Sequence, residues 1–103
     1  MSELSDKLTE YREKFELVPH VVCNDGFTMS VQASKSHYCT PRIDNASEYT
    51  HVEVGFSSEH VEEFEEYLDG DRQMTDNVCG WVPLETVENV IDQHGGFSHF
   101  GDN

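Results

Sequence analysis

Positive charge is scarce in this chain. Six Lys and Arg residues stand against 21 Asp and Glu among 103 residues, for a formal net charge of -15 at pH 7. Phosphate backbones are held by Lys and Arg, so this balance argues against direct binding of nucleic acid or an anionic membrane surface. It favours the opposite partner, a basic surface such as that of a nucleic-acid-binding protein. Solubility, or adaptation to high salt, is the plain alternative explanation of the acids. Cysteine is also sparse. Cys23, Cys39 and Cys79 form an odd, scattered set, which is not a disulfide framework and points to the cytoplasm. No apolar run approaches the ~20 residues of a membrane span. Residues 1–8 carry acids and no apolar core, so a signal peptide is not expected there. The chain also lacks a glycine-rich phosphate loop, a nucleophile elbow, an internal repeat and a low-complexity linker.

What is present suffices for one folded domain. Hydrophobic residues make up 36% and charged residues 26%, and Val, Leu, Phe, Tyr and Trp fall at positions able to pack. Full disorder is therefore rejected. Residues 1–103 are read as a single domain of modest stability, with 97–103 as a flexible tail lacking periodicity.

Hydrophobic spacing sets the expected elements. Leu4, Leu8, Tyr11 and Phe15 recur at helical spacing over 3–15, with Ser2 as a cap. Val21, Val22 and Cys23 lead into Asn24-Asp25-Gly26, after which Phe27, Met29, Val31 and Ala33 alternate with Thr28, Ser30, Gln32 and Ser34. That is a hairpin signal, with Gly26 supplying a positive φ. Residues 35–46 read as an irregular connection. A strand is expected over 50–56, with Val52, Val54 and Phe56 on one face. A helix capped by Ser57 or Ser58 is expected over 59–68, with Val61, Phe64 and Leu68 as its apolar stripe. A short strand over 78–82 follows. Pro83 then opens a helix over 84–94 that buries Leu84, Val87, Val90 and Ile91. The predicted fold is α+β, in the order α-β-β-β-α-β-α: a four-stranded antiparallel or mixed sheet with about three helices, mainly on one face.

Acids concentrate around the second helix. Glu53, Glu59, Glu62, Glu63, Glu65, Glu66, Asp69 and Asp71 lie in one stretch without Lys or Arg. On an α-helix, Glu59, Glu62, Glu63 and Glu66 share a face, and each like-charge i,i+4 pair costs roughly 0.2–0.5 kcal/mol. The helix dipole favours Glu59 and Glu62 but not Glu65, Glu66 or Asp69. Tertiary packing or a binding role must offset that cost. The ridge Glu59, Glu62, Glu63, Glu66 with Asp69 is the candidate binding surface, because a rigid row of carboxylates competes for grooves lined by Arg and Lys. A solvated helix face is the alternative.

Other constellations are weaker. His20-x-x-Cys23 and His37-x-Cys39 offer zinc-type ligands, but residues three apart on a strand point to opposite faces. No metal or cofactor is expected. Ser30, Ser34, Cys23, Cys39, His20 and His37 are available for nucleophilic chemistry, yet no local signature places them. The chain is read as a non-enzyme. Asp69-x-Asp71 lacks the rest of a calcium loop. Thr28, Ser30, Gln32, His37, Tyr38 and Arg42 form a candidate secondary polar surface, unless this is an ordinary solvated sheet face. Tyr38, Trp81, Phe97 and Phe100 are candidate aromatic anchors, although Trp81 on a short strand suits the core.

Three segments carry a resemblance: 22–34 (Val-Cys-Asn-Asp-Gly-Phe-Thr-Met-Ser-Val-Gln-Ala-Ser), 52–56 (Val-Glu-Val-Gly-Phe), and Gly80-Trp81-Val82-Pro83 with Val87, Val90, Ile91 and His94-Gly95-Gly96. Together they resemble a group of small uncharacterised proteins encoded by bacteriophages and prophages. The likeness spans about 18–96 and leaves the N-terminal helix and the acidic helix unmatched. It implies a phage accessory protein acting in the cytoplasm of an infected bacterium, with no activity assigned to named residues. Small acidic phage proteins often inhibit host or defence machinery, anti-CRISPR proteins among them. The leading expectation is thus an acidic phage-type interaction protein that blocks a bacterial nucleic-acid-binding complex as a DNA mimic. A small-ligand or metal-binding domain, with or without enzymatic activity, and a virion accessory protein are the alternatives.

Overall fold

The computed structural model describes residues 18–43, 46, 48–68 and 77–101. The helix expected over 3–15 lies outside these residues, as do Asp69 and Asp71. Within them the fold is α+β, with a five-stranded antiparallel sheet in the order β4-β3-β2-β1-β5. The strands are β1 (Val21–Cys23), β2 (Thr28–Gln32), β3 (His51–Gly55), β4 (Val78–Pro83) and β5 (Phe97–Phe100). A 3-10 helix, Glu62–Tyr67, precedes β4, and one α-helix, α1 (Leu84–Gln93), follows it.

The β1–β2 hairpin forms as the Asp-Gly turn dictates. Gly26 takes φ 96, a region costly for residues with a Cβ. Asp25 Oδ1 accepts the Phe27 N–H at 2.9 Å, an Asx turn that fixes the reversal. Val21 then faces Met29 across the ladder, Val31 faces Val54, and Val52 faces Val82. Because side chains alternate along strands, these residues share one buried face. The helix stripe expected from the sequence, Leu84, Val87, Val90 and Ile91, is the buried side of α1 and joins the same core.

Three expectations need correction. First, residues 97–100 are not a tail. Gly95 and Gly96, at φ 86 and 94, turn the chain back, and β5 pairs with β1. Its alternation is hidden because Val22 faces His99 while Cys23 faces Phe97, so Ser98 is an extra residue; such a bulge breaks the period of two. Second, the helix expected over 59–68 is a shorter 3-10 helix without a side-chain cap. Val61, Phe64 and Tyr67 are spaced by three, which matches 3.0 residues per turn; the first two are buried and Tyr67 packs partly against the core. Ser58 does not cap, since its Oγ accepts the Thr28 N–H at 3.0 Å. Third, Phe56 does not continue the buried face of β3. It takes φ 50 and lies exposed.

Candidate interaction surface

The 3-10 helix presents Glu62, Glu63, Glu65 and Glu66 to solvent. The three-residue turn sets Glu62 above Glu65 and Glu63 above Glu66, with successive carboxylates ~6 Å apart along each edge. Phe64, fully buried, pins the segment to the core, and Leu68 bridges antiparallel to Cys79 on the outer side of β4. The described residues include two cationic side chains of the Lys and Arg type, Lys35 and Arg42. Among the described residues, no Lys or Arg ion pair holds Glu62, Glu63 or Glu66, whereas Glu65 Oε1 lies 2.6 Å from His60 Nε2. Burial, and then the neighbouring Glu66 carboxylate, push the Tyr67 phenol above its ordinary value.

The expected ridge is therefore regrouped. Glu62, Glu63 and Glu66 stand together and gain Glu65. Glu59 precedes the 3-10 helix and sits 3.8 Å from His94 Nε2. The position of Asp69 is outside the described residues. An α-helical wheel places Glu59 with this group and leaves Glu65 out; the tighter 3-10 turn over 62–67 does the reverse.

The secondary polar surface divides. Gln32 is buried, and its side-chain amide pairs with both backbone groups of Val18: the Val18 N–H donates to Oε1 at 3.0 Å and Nε2 donates to the Val18 carbonyl at 2.7 Å. Nε2 also donates to Ser30 Oγ at 3.0 Å. Thr28 is half-buried and joined through its backbone to Ser58. His37 Nδ1 lies 2.6 Å from the Oγ of fully buried Ser34. These groups knit the loop and the preceding chain to the sheet.

Tyr38 and Arg42 behave differently. The Tyr38 ring stacks on Trp81 with centroids 4.8 Å apart, and the Arg42 guanidinium lies 5.2 Å from the Tyr38 centroid. Tyr38 donates its N–H to Glu53 Oε2 at 2.9 Å and accepts the Trp81 N–H on its carbonyl at 3.0 Å. Trp81 itself lies in a bulge. Val52 pairs with Val82 and Val54 with Cys79, so Gly80 and Trp81 together oppose Glu53. Trp81 takes φ 50 and remains 48% exposed. Bulges redirect side chains, and here the bulge carries the tryptophan out of the core that a short strand suggested for it.

A second polar cluster joins three segments. His94, at the end of α1, places Nδ1 2.7 Å from Asp25 Oδ2 and stacks on Phe27 at 4.1 Å. The Phe27 N–H, and then His94, hold the Asp25 carboxyl below its ordinary value of 3.8. Asn24 Nδ2 donates to the Gly95 carbonyl at 2.7 Å, and the Asn24 N–H donates to Gly96 O. The sequence marks the Asp-Gly turn and the Gly-Gly turn separately; nothing in it shows that they meet.

The cysteines are all buried and free. Burial pushes Cys23 and Cys79 to about 11 and raises Cys39, whose Sγ donates to the Ser34 carbonyl at 3.1 Å. A protonated thiol is a poor nucleophile and a poor metal ligand. Among the described residues no group of three or more His, Cys, Asp or Glu side chains is placed to share a metal ion. No described helix is long and apolar enough to cross a membrane.

No protein family, curated protein or solved structure matches the chain.

Proposed function

We propose that this chain is a small phage-type interaction protein that acts in the cytoplasm of an infected bacterium. It inhibits a host or defence complex by occupying a basic, nucleic-acid-binding surface. The phage origin rests on the resemblance carried by 22–34, 52–56 and 80–96. The mode of action rests on one observation: Glu62, Glu63, Glu65 and Glu66 stand exposed on a short helix anchored by buried Phe64. A fixed array loses less entropy on docking than carboxylates on a mobile loop. Its carboxylate spacing of ~6 Å along each edge lies within a factor of two of the ~3.4 Å phosphate step along a DNA strand. Arg and Lys arranged for phosphates can therefore be satisfied by it.

The reading is tested by pull-down from bacterial lysate with the wild-type chain and with Glu62, Glu63 and Glu66 all changed to Lys. Wild type retains a basic protein or complex, and release rises steeply between about 0.1 M and about 0.5 M salt as screening shortens the range of the charges. The triple reversal retains nothing. Equal capture by both proteins removes the acidic helix from the function.

A further inference from the structure

Resting on the reading above, we infer that Trp81 is the anchor of this docking surface, and that it takes a cationic Arg or Lys side chain from a basic segment of the partner protein. Three observations meet at this residue.

The first is conformational. Trp81 has φ 50, where a residue with a Cβ is strained and Gly is not. The second is exposure. The residue is nearly half exposed, so burial in the core does not explain a large aromatic at this position. Glycine would relieve the strain and remove the exposed apolar area together. The third is pre-organisation. The Trp81 N–H is held by the Tyr38 carbonyl, its ring rests on the Tyr38 ring, and Tyr38 is fixed in turn by Glu53. Gly80 permits this approach: a Cβ there would stand 3.2 Å from Tyr38 Cβ. With its rotamer set in advance, the indole gives up little freedom when a partner arrives.

Charge decides the occupant. Glu53 stands opposite the bulge that carries Trp81. The acidic 3-10 helix ends at Tyr67, and the next residue, Leu68, bridges to Cys79, two residues before Trp81 on the same strand. An anion approaching this edge meets the net charge of -15 and Glu53, with Arg42, already over the Tyr38 ring, as the cation beside the stack. A cation is attracted by the carboxylates and by the face of the indole, the strongest of the aromatic π partners. Arg42 already lies over the Tyr38 ring, so the accessible indole of Trp81 is the receiving face. A partner strand or loop bearing several cations places one on Trp81 and its neighbours on Glu62, Glu65 and Glu66.

The chain has one Trp, so its emission reports this site directly. The probe is an oligo-arginine peptide carrying a dye, with binding read by anisotropy and, in wild type, by Trp81 quenching. Wild type shows saturable quenching that tracks the anisotropy curve. Trp81→Gly, whose folding is verified by circular dichroism, binds about 3- to 30-fold more weakly, the span of one cation–π contact. Trp81→Phe falls between the two. Unchanged affinity in folded Trp81→Gly, alongside weakening by the triple Lys reversal at 62, 63 and 66, overturns the Trp81 anchor and leaves the acidic-helix reading intact. The reverse pattern supports the anchor and sinks the acidic-helix reading. Equal quenching by a neutral oligo-serine peptide of the same length overturns the assignment of a cation as the occupant.

Discussion

The half of the molecule built on β1, β2 and α1 and the half built on β4 obey different rules. In the first, alternation and helical spacing bury Val21, Met29, Val31, Val87 and Val90, and the turn glycines take the positive φ that only glycine adopts without strain. In the second, a like-charged segment winds into a 3-10 helix, and Phe56 and Trp81, the latter within a bulge, adopt φ 50 while exposed. Local and global preferences agree in one half and conflict in the other. Such conflicts collect where a fold serves something beyond its own stability.

The contrast breaks most readily at Phe64. If the acidic helix is part of the cooperative core, Phe64→Ala lowers the unfolding free energy by about 3–5 kcal/mol, the range for a fully buried ring. Urea denaturation followed by circular dichroism measures this. A change near zero would show the helix to be an appendage, and the two halves would then differ in cooperativity as well as in local rules.

Gln32 tests the orderly half. Gln32→Ala leaves the buried Val18 N–H and carbonyl unpaired, and the expected loss is about 1–3 kcal/mol. Amide exchange at Val18 should accelerate in the variant. Phe56 tests the strained half with the opposite sign. Phe56→Gly relieves φ 50 and removes exposed apolar area, so the urea midpoint should rise, by about 1 kcal/mol equivalent. A fall would mean that the ring makes a contact worth more than the strain.

The smallest effect concerns acid. The Asp25 carboxyl titrates below 3.8 in the folded chain. A depressed folded-state value gives stability that is present above 3.8 and is lost as pH falls through the lower folded value. Wild type should therefore lose stability more steeply than Asp25→Asn between about pH 5 and about pH 2, read as urea midpoints across that span.

How much the sequence reveals follows the regularity of each element rather than this division. The hairpin, the strand at 51–55 and the buried stripe of α1 follow from periods of two and 3.6, and all are found. The 3-10 helix was legible only in part, because Val61, Phe64 and Leu68 fit an α-helical stripe as well as Val61, Phe64 and Tyr67 fit a three-residue turn. Strand β5 escaped because the bulge at Ser98 places Phe97 and Phe100 three apart. At the candidate site, the run of glutamates was plain, but their grouping depended on the helix type. The stack of Trp81 on Tyr38 joins residues distant in sequence through a bulge, and the pairing of Asp25 with His94 joins two turns. Neither has a local signature. Gln32 was grouped with an open polar face because alternation on β2 does not show that its side chain bonds the backbone of Val18, which lies opposite it in the hairpin register.

The last strand of the sheet has a consequence for synthesis. Asn24 and Gly95, which lie side by side, are 71 positions apart in sequence, and β1 gains its outer neighbour only when β5 arrives. While the chain is still being made, the hairpin can fold with β1 as a bare edge, offering unpaired N–H and carbonyl groups to any extended segment nearby. Closure of the sheet thus waits on translation of Phe97–Phe100, and during the interval before it a nascent chain is open to self-association.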